Sequence, residues 1–194
     1  APSQRAIHAR YHGRASHAGM FPEEGRSAIA AAARAVADLR LGRLDEETSA
    51  NVGVIQGGTA RNIVPERCFF QAEARSRDER KLAELVQEML DTIAYAATVS
   101  DCTVEVDVED TYRGYRFRGE DLVVRVAEDG LRRAGFEPTR NVSGGAADAN
   151  VFNERGLPCV NLANGMTDIH TPDERIAVAD LEAMVEVTLG LVDA

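Results

Sequence analysis

Two histidines in this sequence stand in loops built to place groups. His17 lies in Gly-Arg-Ala-Ser-His-Ala-Gly, residues 13–19, an imidazole between two glycines. His170 opens His-Thr-Pro-Asp-Glu, residues 170–174, at the end of a stretch that begins Ser-Gly-Gly-Ala-Ala-Asp-Ala-Asn at Ser143. Such loops cost conformational entropy and bury little apolar surface, so they usually exist to position something. Here they position two imidazoles and the backbone N–H groups of Gly144 and Gly145. An imidazole can ligate a metal or donate a hydrogen bond, and adjacent N–H groups can receive an anionic end group.

Other tempting pairs carry less. His8 and His12 share a strand face, but four strand residues separate them by roughly 13 Å, too far to chelate one ion. Glu23-Glu24 sits where acids complement a helix N-terminus, and Glu46-Glu47 lies in a loop. Cys68, Cys102 and Cys159 are far apart in apolar contexts with no metal spacing, so reduced thiols and a cytoplasmic location are expected. Phosphate binding at Gly144-Gly145 is a weak reading, because no Lys or glycine-rich phosphate loop follows.

These groups need a scaffold. Residues 5–12 alternate, with Ile7, Ala9 and Tyr11 facing one way and His8, Arg10 and His12 the other, which predicts a half-buried strand. A helix is expected from the Pro22 region to about Leu41, with Ile29, Ala32, Ala33, Val36 and Leu39 at helical spacing and Gly42 as the stop. Residues 51–56 read as a strand, followed by Gly57-Gly58 and then Asn62-Ile63-Val64-Pro65. Residues 66–75 read as the next strand, with Phe70, Ala72 and Ala74 on one face and Gln71, Glu73 and Arg75 on the other. Ser76 and Glu79 form an expected capping box for a helix burying Leu82, Leu85, Val86, Met89 and Ile93. Residues 103–109 alternate again, Val104, Val106 and Val108 against acids. The order β-α-β-β-α-β is the split-βαβ, ferredoxin-like arrangement: a four-stranded antiparallel sheet with two helices on one face, spanning residues 4–112.

Residues 113–194 read as an incomplete α/β segment. A helix is expected over 121–134, a strand near 138–142, a short helix over 148–154 with Asp148 as N-cap, and a buried strand over 159–162. A last helix follows, with Leu181, Met184, Val185, Thr188 and Leu191 on one face. Two strands cannot make a sheet that buries three helices. With Ala1 rather than Met at the start, this points to a part of something larger.

Five segments, in this order and spacing, resemble the co-catalytic zinc exopeptidases and deacylases: Gly-Arg-Ala-Ser-His-Ala-Gly, Asn-Ile-Val-Pro, Glu-Ala-Arg-Ser, Ser-Gly-Gly-Ala-Ala-Asp-Ala-Asn and His-Thr-Pro-Asp-Glu. That family includes succinyl-diaminopimelate desuccinylase, acetylornithine deacetylase, aminoacylase and tripeptide aminopeptidase, and the peptidase T-like branch is the nearest in pattern. The resemblance implies a ferredoxin-like lid and dimerisation domain at 4–112, a homodimer through that domain, and the C-terminal part of a two-zinc catalytic domain at 113–194. It implies His170 as the last zinc ligand and His17 as the lid donor to the oxyanion of the tetrahedral intermediate. Arg75 would grip a substrate carboxylate, Asn62 would hydrogen-bond the substrate, and Gly144 and Gly145 would meet a substrate end group. Arg75 could instead form a cross-strand salt bridge with a neighbouring acid, and Asn62 could serve a turn. The family's remaining zinc ligands and its general base belong to an N-terminal half with no counterpart here. Ala147 departs from the hydroxyl residue the pattern leads one to expect. The implied activity is zinc-dependent hydrolysis of short peptides or acyl-amino acids by the intact protein, with this chain alone inactive.

Composition bounds the alternatives. The 194 residues carry 22 basic and 32 acidic side chains, a net charge of −10, which disfavours nucleic acid and anionic membranes as partners. No apolar run approaches a membrane span, and no signal-peptide pattern opens the chain. The competing reading is a stand-alone, non-catalytic dimerisation or small-molecule-binding module of ferredoxin-like fold, which would need a closed core in both halves.

Overall fold

A computed structural model describes residues 1–192, which divide into two units: Pro2–Gly114, and Ala1 together with the residues from Tyr115 onward. The first unit runs β1 (Ser3–His12), β2 (Ser16–His17), a 3-10 turn (Pro22–Glu24), α1 (Ala28–Asp38), β3 (Gly42–Arg43), β4 (Thr48–Gly57), β5 (Ile63–Val64), β6 (Arg67–Ser76), α2 (Glu79–Val99) and β7 (Thr103–Tyr112). Its main sheet has the order β3-β4-β6-β1-β7, every pair antiparallel, and β2 pairs with β5 in a separate two-stranded sheet. The four long strands and two helices are the expected ferredoxin-like set. The two-residue β3 adds a fifth strand beside β4, beyond the four expected.

The core follows from strand alternation. Ile7, Ala9 and Tyr11 on β1 and Phe70, Ala72 and Ala74 on β6 are buried, and α1 and α2 cover them in one cluster. From α2 come Leu82, Leu85, Val86, Met89 and Ile93, the predicted face. The Tyr11 hydroxyl, buried among these, donates to the Ile93 carbonyl at 2.9 Å. Burial pushes that hydroxyl above the ordinary phenol range, with Cys68 and Cys102 adding to the shift.

Helix α1 begins at Ala28, later than the Pro22 region expected to open it. Arg26 is held extended by two backbone hydrogen bonds with Arg14, both 2.9 Å, and helix can start only beyond it. The two segments meet closely because residue 13 is glycine: a Cβ there would lie 2.0 Å from the Arg26 carbonyl oxygen. Ser27 then caps α1, its hydroxyl accepting the Ala30 N–H at 3.1 Å. Ala28, Ala31, Ala32 and Ala35 make the buried face, with Leu39 at the C-cap, while Ile29 is 39% exposed. The face is therefore rotated from the predicted one.

The expected capping box at Ser76 is not formed. Asp78 is the N-cap of α2 and accepts the N–H groups of Arg80 (2.8 Å) and Lys81 (3.2 Å), which hold its carboxyl below the usual range. Ser76 ends β6, buried, its hydroxyl bonded to Thr48 at 3.0 Å and accepting the Asp78 N–H at 3.1 Å.

The second unit holds α3 (Leu122–Arg133), α4 (Asp148–Glu154) and α5 (Val178–Val192). Helices α3 and α5 approach until a Cβ on Gly130 would lie 2.5 Å from Leu191 Cδ2. The buried line on α5 runs through Val187, with Met184, Gly190 and Leu191 half-buried, whereas Leu181 and Val185 are 51% and 58% exposed. This corrects the predicted stripe. Neither expected strand forms: 138–142 and 159–162 have no ladder partner among the described residues. An extended run needs a neighbour for its N–H and C=O groups. At Cys159 the Asn153 side chain is that neighbour, its amide donating to the Cys159 carbonyl (2.7 Å) and its oxygen accepting the Cys159 N–H (3.0 Å). Among the described residues, no helix is long and apolar enough to cross a membrane.

Candidate active site

In the first unit, His17 and Asn62 come together because β2 and β5 pair. His17 stands opposite Ile63, and the Ala18 N–H donates to the Asn62 carbonyl at 3.0 Å. The chain turns back at once after His17, whose carbonyl accepts the N–H groups of Met20 (3.2 Å) and Phe21 (3.0 Å). The imidazole folds over this turn, and Nδ1 lies 3.2 Å from the Gly19 nitrogen and 3.1 Å from the Met20 nitrogen. His17 and Asn62 are both exposed.

Arg75 is elsewhere in the same unit. Asn62 immediately precedes β5, near the start of β6, while Arg75 is one residue from the end of β6. Eight strand residues from Arg67 to Arg75 span roughly 26 Å, so one chain does not bring Arg75 to the His17–Asn62 turn. Arg75 Nη2 donates to Glu73 Oε2 at 2.9 Å, and the same oxygen accepts from Gln4 Nε2 at 2.8 Å. The bond to Glu73 pushes the guanidinium pKa further up. Arg75 Nε is buried without a hydrogen-bond partner. Between the two ends, the helix-free face of the sheet carries a cleft of about 200 Å³ lined by His8, Arg10, Phe69 and Gln71, none of them a candidate residue.

In the second unit, Ser143 closes a tight turn around the two glycines. The Gly145 N–H donates to Ser143 Oγ at 3.0 Å, and that hydroxyl donates to the Gly145 carbonyl at 3.1 Å. The Gly145 N–H is thus engaged within its own loop. Asp148 is the first residue of α4 rather than its cap. Ala147 holds the cap position, and its N–H donates to Asn150 Oδ1 at 3.2 Å.

His170 lies in the left-handed backbone region, φ 67°, as does Asp168, φ 54°. Non-glycine residues adopt it at a cost and concentrate at functional loops. Here the surroundings enforce it. The Glu174 carboxylate accepts the His170 N–H at 2.8 Å, and the Thr171 N–H and hydroxyl both donate to the Asp168 carbonyl (3.1 and 2.7 Å). Thr167 and Arg175 close the loop with a β-bridge, and Arg175 pairs with Asp168 at 2.9 Å.

Glu73, Glu174 and the amides of Gly19 and Met20 hold the candidate residues; Arg75 does pair with a neighbouring acid, but within its own strand rather than across to another. Glu73 shares a strand face with Arg75 at i−2, and Glu174 follows His170 at i+4, so both spacings were available. The amide contacts carry no side-chain signal. Among the described residues, no group of three or more His, Cys, Asp or Glu could hold a metal ion.

Residues 4–101 match the peptidase dimerisation domain. Over 193 residues the chain is 38% identical to the uncharacterised protein YqjE of Bacillus subtilis, covering 100% of this chain and 52% of that protein. It thus spans about half the length of that relative. Two solved structures superpose on nearly all of it. One is aminopeptidase PepT of Bacillus cereus (39% identity, TM-score 0.82, 99% of this chain and 52% of that one). The other is a tripeptidase of Staphylococcus aureus (36% identity, TM-score 0.87, 98% and 51%).

Proposed function

As the chain belongs to the peptidase dimerisation domain family, we propose that it is part of a zinc-dependent exopeptidase that hydrolyses short peptides. Residues 4–112 are its lid and dimerisation domain, and 113–194 are the C-terminal part of its catalytic domain. The carrying observation is the superposition of nearly the whole chain on an aminopeptidase and a tripeptidase at 36–39% identity. The exposed apolar side chains of the second unit support it: Leu122 (69%), Val142 (69%) and Val178 (70%) are what a surface packed against further polypeptide leaves bare.

In this reading His17 donates a hydrogen bond to the scissile carbonyl oxygen as charge builds on it. Asn62, one residue from the strand position that faces His17, binds the substrate beside it. Arg75 grips the substrate carboxylate with its planar fork. Gly144 offers a backbone N–H to a substrate end group, with Gly145 shaping the turn. The described residues do not by themselves form a metal site; His170 supplies one imidazole ligand to zinc, and the other ligands come from outside this chain. Bound zinc contributes Lewis acidity at the carbonyl and a more acidic water.

The separation of Arg75 from His17 and Asn62 fits a homodimer. At roughly 26 Å, one chain's Arg75 and His17 cannot clamp the same tripeptide-sized substrate, whereas two copies joined through the lid can each give one end. Peptides or acyl-amino acids are the partners, and the reading places the protein in the cytoplasm.

The test is hydrolysis of a tripeptide series by the full-length natural protein, with and without a zinc chelator, beside the 194-residue chain. Zinc-dependent release of the N-terminal residue by the full-length protein alone supports the reading. Turnover by the 194-residue chain, or none by either, overturns it.

A further inference from the structure

The turn that follows His17 does more than carry it. Nδ1 lies within 3.2 Å of two backbone nitrogens, Gly19 and Met20, and both are donors. A ring nitrogen that accepts hydrogen bonds carries no proton, and a neutral imidazole has one N–H. The proton therefore sits on Nε2.

We propose that the Gly19 and Met20 amides are positioning groups that lock His17 in its Nε2–H form, making it a one-way hydrogen-bond donor. Two consequences separate this from other uses of a histidine. Nε2, already protonated, cannot take a proton as a general base. It cannot ligate a metal either, because a histidine ligating through Nε2 carries its proton on Nδ1 and donates it to an acceptor, whereas Nδ1 here faces two donors. What remains is donation through Nε2 to an oxygen that bears or develops negative charge. That this oxygen belongs to a peptide substrate rests on the proposed function; the lock does not.

The anchoring explains why the lock holds in an exposed loop. His17 is fixed on both sides of its backbone, by pairing with Ile63 and by the Met20 and Phe21 N–H groups on its carbonyl. The two amides are thus presented by the same turn that fixes the ring. A Cβ on Gly19 would lie 3.6 Å from His17 Cε1, ordinary contact, so a small side chain fits there without displacing the ring.

Nitrogen-15 NMR of the histidine-labelled 194-residue chain reads the tautomer directly. The His17 signals are assigned by their absence in His17→Gln. The expected result is a pyridine-type Nδ1 and a pyrrole-type Nε2 in a single tautomer. A protonated Nδ1, or an averaged pair of shifts, overturns the lock. Replacing the Met20 amide by an ester through the matching α-hydroxy acid removes its N–H from Nδ1 and from the His17 carbonyl, which keeps the Phe21 N–H, and leaves the side chain; the signals should move toward the averaged mixture, and an unchanged spectrum overturns Met20's part. Gly19→Ala keeps both amides and should keep the wild-type spectrum. If the lock is seen and the full-length protein hydrolyses no peptide, the proposed function fails and the lock stands.

Discussion

The Glu174 carboxylate accepts the backbone N–H of His170 at 2.8 Å, four residues away, and holds His170 in the left-handed region at φ 67°. One side chain thus sets the backbone from which the other projects. If His170 ligates zinc, Glu174 governs the ligand's aim without touching the metal. Substituting groups that orient a ligand typically weakens metal affinity about 10- to 100-fold. Glu174→Ala in the full-length protein should do so, and Glu174→Gln, which keeps an acceptor oxygen, should lose much less. Zinc-binding isotherms for the two variants check this, and equal losses would show that the hydrogen bond is not what matters.

The first unit should fold without the second. Its core is closed by α1, α2 and alternate residues of the long strands. A fragment of residues 2–114 is expected to melt in one cooperative transition. Within it, Tyr11→Phe removes the buried hydrogen bond to the Ile93 carbonyl, a loss of about 1 kcal/mol, since that carbonyl sits within a helix and its own ladder remains. Denaturant unfolding of both proteins measures it. A broad, non-cooperative melt would place the domain boundary elsewhere.

Asp78 gives a pH-dependent prediction. Two backbone N–H groups lower its carboxyl below the ordinary 3.8, so it ionises more readily folded than unfolded. A carboxyl lowered on folding stabilises the fold above its unfolded pKa, and that stabilisation is lost as pH falls through the folded pKa. Asp78→Asn keeps the cap but cannot titrate. The stability gap between the two proteins should therefore be constant near neutral pH and shrink below about pH 4. A gap independent of pH down to 2 would mean the carboxylate's charge contributes nothing.

What the sequence made legible was local. Alternation identified the buried faces of β1 and β6 because one residue in two meets the helices, and helical spacing identified the α2 face. Some misses were local, such as Ala147 in place of Asp148 at the α4 cap and Glu174 four residues after His170; the larger ones were nonlocal. Arg26 pairs with Arg14, which holds the start of α1 back from the Pro22 region to Ala28. Asp78 rather than Ser76 caps α2, because Ser76 is the last residue of the inner strand β6, its hydroxyl bonded to Thr48. Residues 159–162 have a strand's composition but no strand beside them among the described residues. At the candidate site, residue types and motifs singled out His17, Asn62, Arg75, Gly144, Gly145 and His170. Strand rise alone could have separated Arg75 from Asn62. The pairing of β2 with β5, which sets Asn62 beside His17, could not be read from either segment by itself.

The roles of the two loop histidines can be told apart in the full-length protein. The ground-state carbonyl is nearly neutral, while the tetrahedral intermediate carries a full oxyanion. A donor aimed at that oxygen stabilises chiefly the transition state, so losing it falls on turnover rather than on substrate affinity. His17→Ala should lower kcat about 100- to 1,000-fold, roughly 2.7 to 4 kcal/mol, with KM and zinc content little changed. His17→Gln restores an N–H donor of similar reach and should recover part of the loss. His170→Ala removes a proposed ligand instead, so bound zinc and activity should fall together. Steady-state kinetics paired with zinc stoichiometry on all three variants separates the roles. If His17→Ala lost zinc, or kept near wild-type turnover, the donor role would be wrong; if His170→Ala kept its zinc, the ligand role would be.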